Sequence, residues 1–151
     1  MVEECVDQQP ELAPAETLNA AFLKADSNLT PENSIYSGCT VIAAYITALK
    51  SGEEHVMTLY TANVGDARAV LCRKGKAVRL SYDHKGTDER EHNRIVTKGG
   101  FMMNNRVNGM LAVTRALGDA SMKEFIIGNP YTTETQITKD DPFLILACDG
   151  L

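Results

Sequence analysis

Few residues of this chain can do chemistry, and their spacing eliminates most of them. A cysteine-dependent phosphatase loop needs a thiolate and an arginine spaced C-x5-R, whereas Cys72 and Arg79 enclose six residues of a hairpin pattern. A phosphate-cradling G-x-x-x-x-G-K-[ST] loop fails at Gly75-Lys76, with Val70 in place of the first glycine and Ala77 in place of the hydroxyl. His55, His84 and His92 show no metal-ligand spacing and read as surface or loop imidazoles, and no serine stands in a nucleophile elbow. Cys5, Cys39, Cys72 and Cys148 form no C-x-x-C pair, so they read as reduced thiols rather than as a zinc site or disulfide framework. Two aspartates remain. Asp66 sits at the tip of a predicted hairpin, in Asn63-Val64-Gly65-Asp66-Ala67-Arg68, where a carboxylate can lean outward. Asp149 follows the apolar run Phe143 to Cys148, and a carboxylate leaving a core there needs donors or a cation to replace lost hydration. Taken singly, each reads as a turn or cap residue bonded to nearby N–H groups.

The elements that must position them follow from periodicity. Leu18, Ala21, Phe22, Ala25 and Leu29 recur at helical spacing between Pro14 and Pro31 and predict an amphipathic helix. Pro31 to Ser37 reads as loop, Gly38 to about Leu49 as a largely buried strand, and Ser51-Gly52 as its closing turn. Val56 to Val64, Ala67 to Arg73 and Lys76 to Leu80 predict a three-stranded meander, with turns at Gly65-Asp66 and Lys74-Gly75. Asp88 to Lys98 predicts a short surface helix capped by Gly99-Gly100. Two short strands are expected around Asn104-Asn105, then loop and short helix over Thr114 to Asn129, and an edge strand over Glu134 to Thr138. Phe143 to Cys148 reads as a buried strand. Many strands with few helices point to sheets packed on each other with helices outside.

Composition narrows the partners. The chain has 151 residues, 44% hydrophobic and 23% charged, enough to bury a sizeable core as one domain. A net charge of -5 argues against gripping a phosphate backbone, so no nucleic-acid partner is expected. The acidic residues Glu3, Glu4, Asp7, Glu11 and Glu16 all precede Lys24, the opposite of a presequence, and residues 1–15 read as an acidic, mobile lead-in. No apolar stretch reaches the roughly 18 residues of a membrane span, and a cytoplasmic or nuclear setting is expected.

Seven blocks stand in an order that resembles one family: Ser37-Gly38-Cys39-Thr40; Ala62 to Arg68; Asp83-His84-Lys85; Glu91-x-x-Arg94-Ile95 with Gly99-Gly100; Arg106-Val107-Asn108-Gly109; Arg115-Ala116-Leu117-Gly118-Asp119; and Leu144 to Gly150. The pattern resembles the metal-dependent PPM-type serine/threonine phosphatases, the protein phosphatase 2C family, nearest to fungal members, over about Leu18 to Leu151. The resemblance implies an α+β fold, an α-β-β-α sandwich of antiparallel sheets with outer helices, here incomplete at both ends: residues 16–151 as a partial domain. It implies Mn2+ or Mg2+ as cofactor, and phosphoserine or phosphothreonine proteins as substrates, hydrolysed by metal-activated water. Hard divalent ions prefer oxygen donors, which suits acidic ligands.

By position, Asp149 resembles the core metal ligand of the family's Asp-Gly-x-Trp-Asp block. Asp66 resembles the aspartate of its Gly-Asp-Ser-Arg block, associated with an additional metal; Ala67 replaces the usual serine. Arg106 and Asn108 fall in the part linked with a flap beside the substrate cleft, which makes them substrate-contact candidates, with a packing role as the favoured alternative. His84 and Asp119 match positions with a structural role, and the basic hairpin of Arg73, Lys74, Lys76 and Arg79 reads as a solvated face. The family's Asp-Gly-His-Gly block, with its proton-donating histidine, and its phosphate-binding arginine have no counterpart upstream. Its closing helices and final metal-binding aspartate would fall beyond Leu151. The chain therefore resembles a central slice, expected to be inactive or nearly so by itself and to self-associate through unfinished sheet edges. The alternative is a non-catalytic, phosphatase-like regulatory or binding module.

Overall fold

In a computed structural model, the protein is described over residues 13–29, 31–51 and 54–150. Most of the predicted lead-in, Cys5 and the Gly52 turn position lie outside those residues, as does the side chain of His55. Helix α1 spans Pro14–Asn28, with proline at its start and Glu16 in the first turn, where fixed φ and negative charge both favour a helix N-terminus. Its face of Leu18, Phe22 and Ala25 packs on Tyr60, Ala62 and Val64. Phe22→Ala would remove about 3–5 kcal/mol of such packing. Asp26, near the helix end, accepts the Gly118 N–H at 2.9 Å and pairs with Lys123 at 2.7 Å, fixing α1 to the loops beyond. The predicted loop after α1 contains one helical turn, α2 (Pro31–Ser34).

Strand β1 (Gly38–Cys39) leads into β2 (Val41–Ser51) and β3 (Glu54–Val64), a long antiparallel pair. Tyr60, Ala62 and Val64 face α1, while Leu59, Thr61 and Asn63 face the other way, as the two-residue strand period requires. The predicted meander is corrected at this point. β3 does not pair with β4 (Arg68–Arg73): β4 lies between β5 (Lys76–Arg79) and β10 (Phe143–Ala147), whereas β3 lies between β2 and β9 (Tyr131–Ile137). Gly65-Asp66 is therefore a corner between two sheets, not a hairpin tip. Gly65 takes φ +78°, and a Cβ there would lie 2.2 Å from Thr40 Cγ2. The corner is tied from within. Thr61 Oγ1 donates to Leu80 O at 2.7 Å, and Asn63 exchanges bonds with Tyr82, Nδ2 donating at 2.7 Å and Oδ1 accepting at 3.1 Å.

Leu59, Ala69, Leu71 and Leu80 fill the space between the sheets, so the expected sandwich is present, with α1 on the outside of the first sheet. Among the described residues no helix covers the outer face of the second, and β10 is not the buried strand its apolar run suggests. It is an edge strand with Phe143 54% and Ile145 49% exposed. The basic β4–β5 hairpin is likewise not simply solvated. Arg73 donates twice to Asp141, whose side chain is fully buried, and holds that carboxyl well below its usual range. No described helix is long and apolar enough to cross a membrane.

Helix α3 (Glu89–Thr97) starts where Asp88 accepts the N–H groups of Arg90 and Glu91 and ends at Gly99, φ +86°. It carries a buried ion cluster. Glu91 is 3% exposed and accepts from Arg115 at 2.5 Å and 3.1 Å and from Arg94 at 2.8 Å. Burial alone would raise its pKa; the two guanidiniums outweigh that and bring it to about 2. Beneath it, Ile95, Val107, Ala116, Met122 and Ile126 form a third core cluster with Met102 of the short β6–β7 hairpin (Met102–Met103 and Arg106–Val107). β8 (Leu117–Gly118) pairs with β1.

Two stability outcomes follow. Glu91→Gln leaves two arginines without their carboxylate and should cost about 3–5 kcal/mol in urea unfolding at pH 7. His84 is 1% exposed, and burial, then the Arg115 charge, lower its pKa from 6.5 to about 4. The unfolded chain then binds a proton that the native state refuses, so stability present above pH 6.5 should fall as pH drops toward 4. Melts at pH 7 and pH 5 should show this loss, and His84→Gln should flatten it.

Candidate metal centre

The β4–β10 ladder brings distant residues together. Its register sets Val70 opposite Ile145 and Arg68 opposite Ala147, and directly opposed residues of an antiparallel pair share a face. The alternation that turns Ala69 and Leu71 into the core turns Arg68, Val70, Ile145 and Ala147 the other way. Asp66 and Asp149 each stand two residues beyond the last pair, at the same end of the ladder. Both line one cleft of about 290 Å³, floored by Val70, Ile145 and Ala147 and rimmed by Arg68 and Lys85.

The two carboxylates differ in setting. Asp66 does not lean out freely as expected at a hairpin tip: its side chain is only 12% exposed, and Oδ2 lies 3.1 Å from Lys85 Nζ. Asp149 is exposed, so the expected loss of hydration on leaving a core is corrected as well. The reason is the same edge position of β10 that leaves Ile145 open. Asp83, beside the cleft, accepts from Arg68 at 2.5 Å and 3.2 Å and also from Arg79. Burial would raise its pKa, and the arginines hold it below the usual value.

Neighbouring residues fix the corner. The His84 backbone N–H donates to Gly65 O at 2.9 Å, and ring Nδ1 lies 3.1 Å from the same oxygen. A carbonyl only accepts, so Nδ1 carries the proton of the neutral ring. The sequence placed His84 in a loop with a structural role; the structure adds that it is buried. Asp119, also buried, takes φ +51° before a short 3-10 turn.

Arg106 and Asn108 do not line the Asp66–Asp149 cleft. Arg106 donates to Met110 O at 2.7 Å, and Asn108, at φ +50°, accepts the Phe101 N–H at 3.0 Å, so both close the β6–β7 loop on itself. Lys85 is the residue that sequence reasoning passed over. The Asp83-His84-Lys85 block was visible, but nothing local showed that it packs against the 65–66 corner.

Two carboxylates on one cleft are oxygen donors of the type Mg2+ and Mn2+ take, and Mg2+ in particular is held by one or two carboxylates with water completing its shell. The residues present fit such a hydrated ion. Among the described residues there is no group of three or more His, Cys, Asp or Glu able to hold a metal, so a closed protein cage is not offered.

A family profile described as protein phosphatase 2C matches residues 2–151. Protein phosphatase 2C homolog 1 of Schizosaccharomyces pombe is 48% identical over 98% of this chain and 43% of its own length. The protein of the same description from Saccharomyces cerevisiae is 44% identical over 90% of this chain and 52% of its own. The chain thus spans about half the length of these relatives. The solved structure of a C. elegans sex determining protein superposes with a TM-score of 0.80 at 27% identity, covering 99% of this chain and 37% of that one. A serine-threonine phosphatase 2C from Toxoplasma gondii gives 0.73 at 22% identity, over 97% and 53%, which speaks to the fold alone. Profile, relatives and fold agree: the chain belongs to the protein phosphatase 2C family.

Proposed function

We propose that the protein is a metal-dependent phosphoserine/phosphothreonine protein phosphatase in which Asp66 and Asp149 are ligands of Mn2+ or Mg2+. The observation that carries this reading is the shared cleft, reached from stretches of sequence 83 residues apart by the β4–β10 register. An ion bound there supplies Lewis acidity, which acidifies a water and offsets charge on a phosphoryl group. This chain's residues do the rest. Asp66, next to the Gly65 carbonyl that His84 holds, presents a carboxylate that is 12% exposed. Asp149, exposed beyond the strand end, would supply the second oxygen donor. Val70, Ile145 and Ala147 give the cleft an apolar lining beside them. The reduced cysteines Cys39, Cys72 and Cys148 accord with a cytoplasmic or nuclear setting.

In the intact protein, Asp149→Asn should lower kcat/KM toward a phosphothreonine peptide in Mn2+ by roughly 100-fold or more, about 3 kcal/mol of transition-state stabilisation. Asp66→Ala should lower it by roughly 10-fold. Metal-dependent turnover unaffected by either change would overturn the assignment, and binding of phosphopeptide without turnover would favour a regulatory module.

For Arg106 and Asn108 we assign loop closure rather than substrate contact. Asn108→Ala should cost about 1–2 kcal/mol of stability, from the lost bond and the positive φ. Neither Asn108→Ala nor Arg106→Ala should move KM for a phosphopeptide; a rise in KM without loss of stability would restore the substrate role.

A further inference from the structure

The segment 84–85 is built against the corner 65–66 residue by residue. Buried His84 bonds Gly65 O through its backbone and its ring, and its own carbonyl accepts the Thr114 N–H at 2.9 Å. The next residue, Lys85, then meets the next residue of the corner, Asp66, at 3.1 Å. The backbone of Lys85 is fixed on both sides, by a bridge to Val113 and by the Asp88 N–H donating to its carbonyl at 3.0 Å. The two charged groups are unequal: the Asp66 side chain is 12% exposed and the Lys85 side chain 43%. The carboxylate is pocketed, whereas the ammonium stands at the mouth on a flexible stem. Arg68, the other cation on the rim, is committed to Asp83 through two bonds. Lys85 also lines the neighbouring cleft with Asp88, Asp83 and Arg79, so a withdrawn ammonium stays near carboxylates, of which Asp83 is already paired with Arg68 and Arg79.

We infer that Lys85 is the resident counter-cation of Asp66, a charge that a hard divalent ion must displace to take that carboxylate, so that Lys85 sets the ion affinity of the cleft. This rests on reading Asp66 as a metal-binding carboxylate. An ammonium and a divalent ion on one carboxylate repel each other, and a half-exposed lysine pair is the weaker competitor because it carries half the charge and gains little over water. Removing Lys85 therefore removes both the competitor and the repulsion. A purely positioning lysine would give the opposite sign, since its loss would disorder the ligand and weaken binding.

The test is titration of Mn2+ into the intact protein, with free ion followed by its electron paramagnetic resonance signal. Lys85→Met and Lys85→Gln should each bind Mn2+ about 3- to 10-fold more tightly than wild type. The gain should vanish in the Asp66→Asn background, where Lys85→Met should change nothing. Unchanged or weaker binding by both Lys85 variants, with Asp66→Asn still lowering Mn2+ binding, overturns the role of Lys85 and leaves the metal site standing. A gain that persists in the Asp66→Asn background also overturns it. If Asp66→Asn leaves Mn2+ binding intact, the metal reading of Asp66 fails and the inference goes with it.

Discussion

The antiparallel register between β4 and β10 is the constraint on which the candidate site depends. A strand pair alternates faces every residue, so a slip of one position would send Asp66 and Asp149 to opposite sides of the sheet relative to each other's neighbours. With Arg68 opposite Ala147, the two carboxylates instead emerge at one end of the ladder and border one cleft. On β10, Leu144 packs against the inward cluster of Leu59, Ala69, Leu71 and Leu80, so the hydrophobic core and the placement of the acidic groups have a common cause.

A second constraint acts at the corner. The chain leaves the first sheet at Val64 and enters the second at Arg68, and only a residue without a Cβ passes beside Thr40 at Gly65. His84 grips that glycine's carbonyl, and its own environment is fixed by the buried Glu91 cluster with Arg94 and Arg115. These charges lie away from the cleft and bear on it mechanically. Arg94 also donates to Thr114 O, and the Thr114 N–H donates to His84 O, which links the cluster to the segment that carries Lys85. This explains why buried ionic groups stand in a region whose chemistry is assigned to other residues.

Local signals made much of this legible in the sequence. Helix α1 follows from its apolar spacing and its prolines, α3 from the Asp88 cap and the glycine pair, and the β4–β5 hairpin from Lys74-Gly75, both at positive φ. The corner at Gly65-Asp66 was not legible, because a tight turn into a hairpin and a tight turn between sheets use the same residues. The choice is made by Thr61, Asn63 and Thr40, whose partners lie far along the chain or across the sheet. The apolar run of β10 had the composition of a buried strand, but burial depends on what covers a strand, and here it is an edge. Asp66 and Asp149 were singled out as a pair only through the resemblance to a family; residue types alone left each a turn residue. The partner of Asp66 was invisible for the same reason as the corner.

The central claim is that Asp66 and Asp149 serve one ion, and a double-mutant cycle in Mn2+ affinity tests it most directly. Asp66→Asn, Asp149→Asn and the double variant of the intact protein would be titrated under one set of conditions. Ligands of a shared ion should be non-additive, with a coupling energy of about 1 kcal/mol or more. Losses that add within about 0.5 kcal/mol would mean that the two carboxylates act independently, and the shared centre would be contradicted.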